Sequence, residues 1–85
     1  MKVVKTDDFL KSLAALPKTI ERLYRTQEER FRMNYRDPRL HIKSVRGLAH
    51  VLSLRITRRY RAFFYFQNAE TAVFFDIDHR KDAYR

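Results

Sequence analysis

Residues 51–77 read "VLSLRITRRYRAFFYFQNAETAVFFDI", and the period of this stretch decides the fold. Leu52, Leu54 and Ile56 fall on one side of a chain that repeats every two residues, as a half-buried strand does. "YRAFFYF" (60–66) and "TAVFFDI" (71–77) are aromatic, strand-prone runs, and "QNAE" (67–70) between them is a turn signal. A short even loop in "QNAE" pairs Phe64 with Val73, Ala62 with Phe75 and Tyr60 with Ile77 on the inward side. It leaves Arg61 opposite Asp76 on the outward side. The connection "TRR" (57–59) keeps Ile56 and Tyr60 inward and sets Arg55 across from Arg61. Like charges facing across a strand pair are destabilising. Either a phosphate sits between the two guanidinium forks, which match its oxygens, or Asp76 pairs with Arg61 while Arg55 stays in water. The same outward face presents Phe63, Tyr65 and Phe74. These rings are either a stacking platform for bases or a patch covered by a partner protein or a helix.

Working outward, "LHIKSVRG" (40–47) is a further strand closed by Gly47, the only glycine. Upstream the period becomes helical. Lys2–Lys5 reads as a short edge strand. Thr6 or Asp7 caps a first helix with acids in its first turn, on which Phe9, Leu10, Leu13 and Leu16 share a face. Pro17 suits the start of a second helix, with Ile20, Leu23, Tyr24, Phe31 and Tyr35 on its apolar side. Pro38 ends that helix near "RDP". The expected order is β-α-α-β-β-β-β. This is an α+β fold: an N-terminal strand and a two-helix antiparallel hairpin packed on one face of a four-stranded antiparallel sheet.

Eighty-five residues make one domain, 1–85. An apolar share of 45%, with seven Phe and five Tyr, argues for a folded core rather than disorder. The chain has no cysteine, which removes disulfides and thiolate zinc sites and fits a cytoplasmic setting. No secretory signal is expected at "MKVVKTDDF", nor any run of the ~20 apolar residues that spans a bilayer. Nineteen Lys and Arg against ten Asp and Glu leave a net charge of +9, a field that favours polyanionic partners. Lys43, Arg46, Arg58, Arg59 and Lys81 are the candidates for a non-specific grip on RNA phosphates, whose strength falls with salt. His41 and His50 read as surface or loop residues, since no carboxylates accompany them in a metal geometry.

The chain closes on "DIDHRKDAYR" (76–85), a tail holding most side-chain types that move protons or bind phosphate. Together, "HIKSVRGLAHVLSLRITRRYRAFFYF" (41–66) and "VFFDIDHRKDAYR" (73–85) resemble the RelE/ParE superfamily of type II toxins. The resemblance implies a microbial RNase-like fold in the cytoplasm of a bacterium or archaeon. It implies cleavage of mRNA in the ribosomal A site and a cognate antitoxin that wraps the toxin. Carried over by position, Arg61 contacts the scissile phosphate, Arg80 is a second catalytic arginine, Tyr84 orients the cleaved nucleotide and Arg55 is a strand arginine. His79 falls where several members keep a catalytic histidine. Val51 and Ser53 replace the strand lysines that some members use, so His79 is the expected proton carrier. The chemistry needs the 2′-OH deprotonated, the phosphorane stabilised and the 5′-oxygen protonated, and no metal, cofactor or small-molecule ligand is expected. Two other readings share the fold: a ParE-like inhibitor of DNA gyrase without nuclease activity, and a non-catalytic ribosome- or RNA-binding module.

Overall fold

A computed structural model describes residues 1–79. The elements follow the expected order: β1 (Lys2–Lys5), α1 (Asp7–Ala14), α2 (Lys18–Met33), a 3-10 turn (Pro38–Leu40), β2 (Lys43–Ser44), β3 (Leu52–Arg55), β4 (Tyr60–Asn68) and β5 (Thr71–His79). Thr6 caps α1, its Oγ1 accepting from the Phe9 N–H at 3.1 Å, and Asp7 and Asp8 occupy the positive end of the helix dipole. Pro17 precedes α2 as its cap residue.

The sheet corrects the four-stranded antiparallel expectation. It has five strands in the order β1-β5-β4-β3-β2. β1 joins as an edge strand parallel to β5, from Lys2 opposite Thr71 to Lys5 opposite Phe74, so the sheet is mixed. Parallel neighbours need a crossover, and the helices between β1 and the later strands supply it. β2 is shorter than "LHIKSVRG" suggested, because only Lys43 and Ser44 pair, with Ser53 and Leu52. Gly47 at φ 83° then turns the chain back.

Aromatic rings fill the space between helices and sheet. Phe9, Tyr24, Phe31, Phe64 and Phe74 are fully buried with Leu40 and Leu54. Phe64 and Phe74 stack at 4.8 Å between ring centres, and Phe31 meets them edge-on at 5.1 and 5.4 Å. Each fully buried ring contributes roughly 1.5–3 kcal/mol over its exposed state. On α2 the inward stripe is Ile20, Tyr24, Gln27 and Phe31, a helical 4-3-4 spacing. Leu23 lies off that stripe and is exposed, contrary to its expected place on the apolar side. Gln27 takes a core position by satisfying its amide: Nε2 donates to the carbonyls of Arg39 and Arg55 at 3.0 and 2.7 Å, and Oε1 accepts from Arg30.

A second polar anchor ties β1 to α2. Glu28 accepts from Lys5 Nζ and from the Tyr24 hydroxyl, both at 2.9 Å, and pairs with Arg32 at 3.1 Å. Burial pushes the Glu28 carboxyl up, but these donors together hold it below its ordinary range. Burial and the adjacent carboxylate push the Tyr24 phenol well above its own.

The register of β4 against β5 departs from the expected one. Phe64 faces Phe74 and Tyr65 faces Val73, but Phe63 faces Asp76, Ala62 faces Ile77, Arg61 faces Asp78 and Tyr60 faces His79. One extra residue, Phe75, sits in β5 between the two registers, and Gln67 is likewise extra in β4. The bulge at Phe75 lets Phe74 and Ile77 both face the core. Phe74 is therefore buried rather than on the open face, and Phe75 takes its place outside beside Phe63 and Tyr65, at 6.5 and 5.9 Å.

Candidate nucleic-acid interface

The face of the sheet away from the helices carries the basic site. Arg55 and Arg61 are directly opposite across β3 and β4, as the short "TRR" connection implied. Thr57 closes that turn, its Oγ1 accepting from the N–H groups of Arg59 and Tyr60 at 3.2 Å. On the other side of β3, Lys43 faces Ser53. Alternation along the edge then puts His41 on the same side as Lys43 and sends Ile42 toward the core. These side chains meet: His41, Lys43, Ser53, Arg55, Thr57 and Arg61 line one small depression of about 30 Å³. That volume takes a group the size of a water or of a phosphate's outer oxygens, not a base.

Of the two facing arginines, Arg61 is the one with side-chain partners among the described residues. Its guanidinium lies 4.8 Å from the centre of the Phe63 ring. Its Nη2 is 3.6 Å from Asp78 Oδ2, close enough for attraction and too far for a direct hydrogen bond. Asp78 does what Asp76 was expected to do: Phe64 pairs with Phe74, one residue further along β5 than expected, and the extra Phe75 moves the facing position by one more. Asp76 faces Phe63 and is exposed. The Nε of Arg61 is buried and has no hydrogen-bond partner among the described residues. An orphaned charged donor beside a second guanidinium is costly unless an acceptor arrives.

His41 takes its place through local backbone chemistry. Asp37 caps the 3-10 turn, its Oδ1 accepting from the Arg39 N–H at 2.9 Å, and its carboxylate forks with the Arg39 guanidinium at 2.7 Å. The Arg39 side chain, followed by its N–H, holds the Asp37 carboxyl down to about 2. The turn ends with His41 in the left-handed conformation at φ 47°. Sequence reading missed His41 and Asp78. For His41 the signal was present in "LHIK", where Leu40 and Ile42 alternate with His41 and Lys43.

Other expected site residues lie apart. His79 is the cross-strand partner of Tyr60 and stacks on it at 4.3 Å with the rings nearly parallel. Tyr60 packs against the core, so this pair is on the helix side of the sheet, whereas Arg61 points to the opposite face. Arg46, Arg58 and Arg59 are exposed on the loops flanking β3. Arg80, Lys81 and Tyr84 fall outside the described residues. Among the described residues no three His, Cys, Asp or Glu side chains gather as metal ligands. Nor is any described helix long and apolar enough to cross a membrane.

No protein-family model matches the chain, and neither does any curated protein sequence. Solved structures do. The toxin–antitoxin complex RelBE2 of Mycobacterium tuberculosis matches with a TM-score of 0.64 and 26% identity, over 93% of this chain and 96% of the other. The RelB–RelE antitoxin–toxin complex of Methanococcus jannaschii matches with a TM-score of 0.75 and 24% identity, over 95% of this chain and 94% of the other. The isolated RelE toxin of E. coli matches with a TM-score of 0.73 and 14% identity, over 98% of this chain and 89% of the other. The chain has the RelE fold. The RelE likeness read from residues 41–66 and 73–85 therefore extends through the helices and the N-terminal strand. It spans nearly the full length of each neighbour, and the RelE-like domain carries its arginine pair on the open face of the sheet.

Proposed function

We propose that this RelE-like chain is the toxin of a type II toxin–antitoxin pair, a cytoplasmic endoribonuclease that cuts mRNA in the ribosomal A site without a metal. The observation that carries the reading is the Arg55–Arg61 pair on the open face, with the buried Arg61 Nε lacking an acceptor among the described residues. A scissile phosphodiester supplies what that pair lacks. Its two outer oxygens accept from the guanidinium forks, and the negative charge that grows on them in the phosphorane is where such donors act most strongly. Lys43 adds a third cation at the β2 edge, and Arg46, Arg58, Arg59 and Lys81 hold the surrounding ribosomal RNA by charge. Arg80 and Tyr84 keep the roles the resemblance implies, as second clamp and as orienting ring.

Neighbouring structures are RelB–RelE antitoxin–toxin complexes, which supports a cognate antitoxin for this chain as well. With a net charge of +9, the complementary partner presents acidic and apolar segments. The test is primer extension on a translated message after the chain is expressed. Discrete cuts within codons are expected from the wild type, and none from Arg61→Ala folded to the same extent. Intact message, with supercoiling lost instead, overturns the nuclease reading in favour of gyrase inhibition.

A further inference from the structure

We infer that His41, not His79, is the group that takes the 2′ proton at this site, with the Lys43 ammonium supplying the proton to the leaving oxygen. The inference rests on the nuclease reading above and assigns its proton transfers. Two placements carry it. His41 lines the same depression as Lys43, Ser53, Arg55, Thr57 and Arg61, so a phosphate held by the arginines lies beside its ring. The His79 ring is engaged face to face with Tyr60 on the other side of the sheet.

His41 also stands at a junction. It lines a second, larger groove of about 490 Å³ with Tyr35, Pro38, Ile42, Leu52 and Phe66. A nucleotide whose phosphate enters the cationic depression can therefore lay its base against apolar and aromatic side chains, with the ribose 2′-OH passing His41 between them. The neutral imidazole takes the 2′-OH proton as that oxygen bonds to phosphorus. The P–O5′ bond breaks with its electron pair on O5′, and the Lys43 ammonium gives O5′ a proton. The products are a 2′,3′-cyclic phosphate and a free 5′-hydroxyl. Solvent then returns one proton from His41 to the bulk and one to Lys43, so no oxidant, metal or cofactor is consumed.

The backbone offers a clean variant. His41 sits at φ 47°, a conformation glycine adopts without strain, so His41→Gly removes the ring without a folding penalty at that turn. His50, at φ 65° in another loop, provides the matched control. Purified protein is added to ribosomes programmed with a 5′-labelled message. His41→Gly should lose ~10²–10⁴-fold in cleavage rate while still co-sedimenting with ribosomes, and free imidazole should recover the rate at least tenfold. His50→Gly and His79→Gly should stay within a few-fold of wild type. Cleavage by His41→Gly at the wild-type rate overturns the assignment alone, as does a loss that imidazole does not recover or that comes with lost ribosome binding. Wild-type protein that leaves the message uncut brings down the nuclease reading and this assignment with it.

Discussion

If Arg55 and Arg61 face each other to receive an anion, removing one of them should make the free protein more stable and a poorer binder. Directly opposite positions on antiparallel strands put their side-chain roots about 5 Å apart, and a working separation of roughly 7 Å between the two charge centres allows for splaying of the longer stems. At an effective dielectric constant of about 40–80, two unit charges at that separation repel by about 0.6–1.2 kcal/mol in low salt. Asp78, at 3.6 Å from Arg61 and partly solvated, offsets some of this. The methylene stem of Arg55 covers apolar surface, and its shortening costs a few tenths. Arg55→Gln should therefore stabilise the fold by about 0.5 kcal/mol, which in a domain of this size raises Tm by ~2–4 °C.

Thermal unfolding measured in low salt and again at ~1 M salt decides the matter. The Debye length shrinks to ~3 Å at the higher ionic strength, so the gain should vanish there. Arg46→Gln removes the same charge from an exposed loop and should yield less than half the effect. RNA binding by Arg55→Gln should weaken at every salt concentration at which the wild type binds. A destabilised Arg55→Gln, a gain that survives high salt, or an equal gain from Arg46→Gln would each refute the claim that these guanidinium groups repel across the strands.

Two further outcomes test the rest of the fold. Glu28 is held below its unfolded value of 4.5, so its contribution is fully present above that pH and is lost as pH falls through the lower folded value. Glu28→Gln should be about 1.5–3 kcal/mol less stable than wild type at neutral pH, and denaturant titrations should show the gap closing below pH 4.5. The Phe75 bulge predicts unequal neighbours: Phe74→Ala should cost about 3–5 kcal/mol, and Phe75→Ala less than ~1.5 by the same measurement. A larger loss at Phe75 would restore the register without a bulge.

The sequence carried the element order and the Arg55–Arg61 pairing because both depend on local signals: a change of period, a capping threonine, a short turn between alternating runs. It did not carry what depends on distant partners. β1 could be recognised as a strand from "KVVK", but whether it added to the sheet, and in which direction, was set by its landing beside β5. Gln27 is polar, and its place in the core depends on the Arg39 and Arg55 carbonyls, distant in sequence, standing within reach of its amide. In "VFFDI", four strand-prone residues around Asp76 permit either Phe74 or Phe75 to face inward, and only packing against Phe31 and Phe64 selects Phe74.

That single packing choice also shapes the site. Had β5 continued the Phe64–Phe74 register without its extra residue, Ile77 would have faced Arg61. With the bulge, Asp78 takes that position and His79, the next residue, is turned to the helix side. One extra phenylalanine thus brings a carboxylate rather than Ile77 opposite Arg61 and removes the C-terminal histidine from the arginine face. The imidazole left on that face comes from the opposite edge of the sheet. It is set by a 3-10 turn whose Arg39 carbonyl accepts from Gln27 of α2, which also donates to the Arg55 carbonyl of β3. The candidate anion site is accordingly assembled from three strands by two core side chains, Phe74 and Gln27, neither of which carries charge or lines the depression.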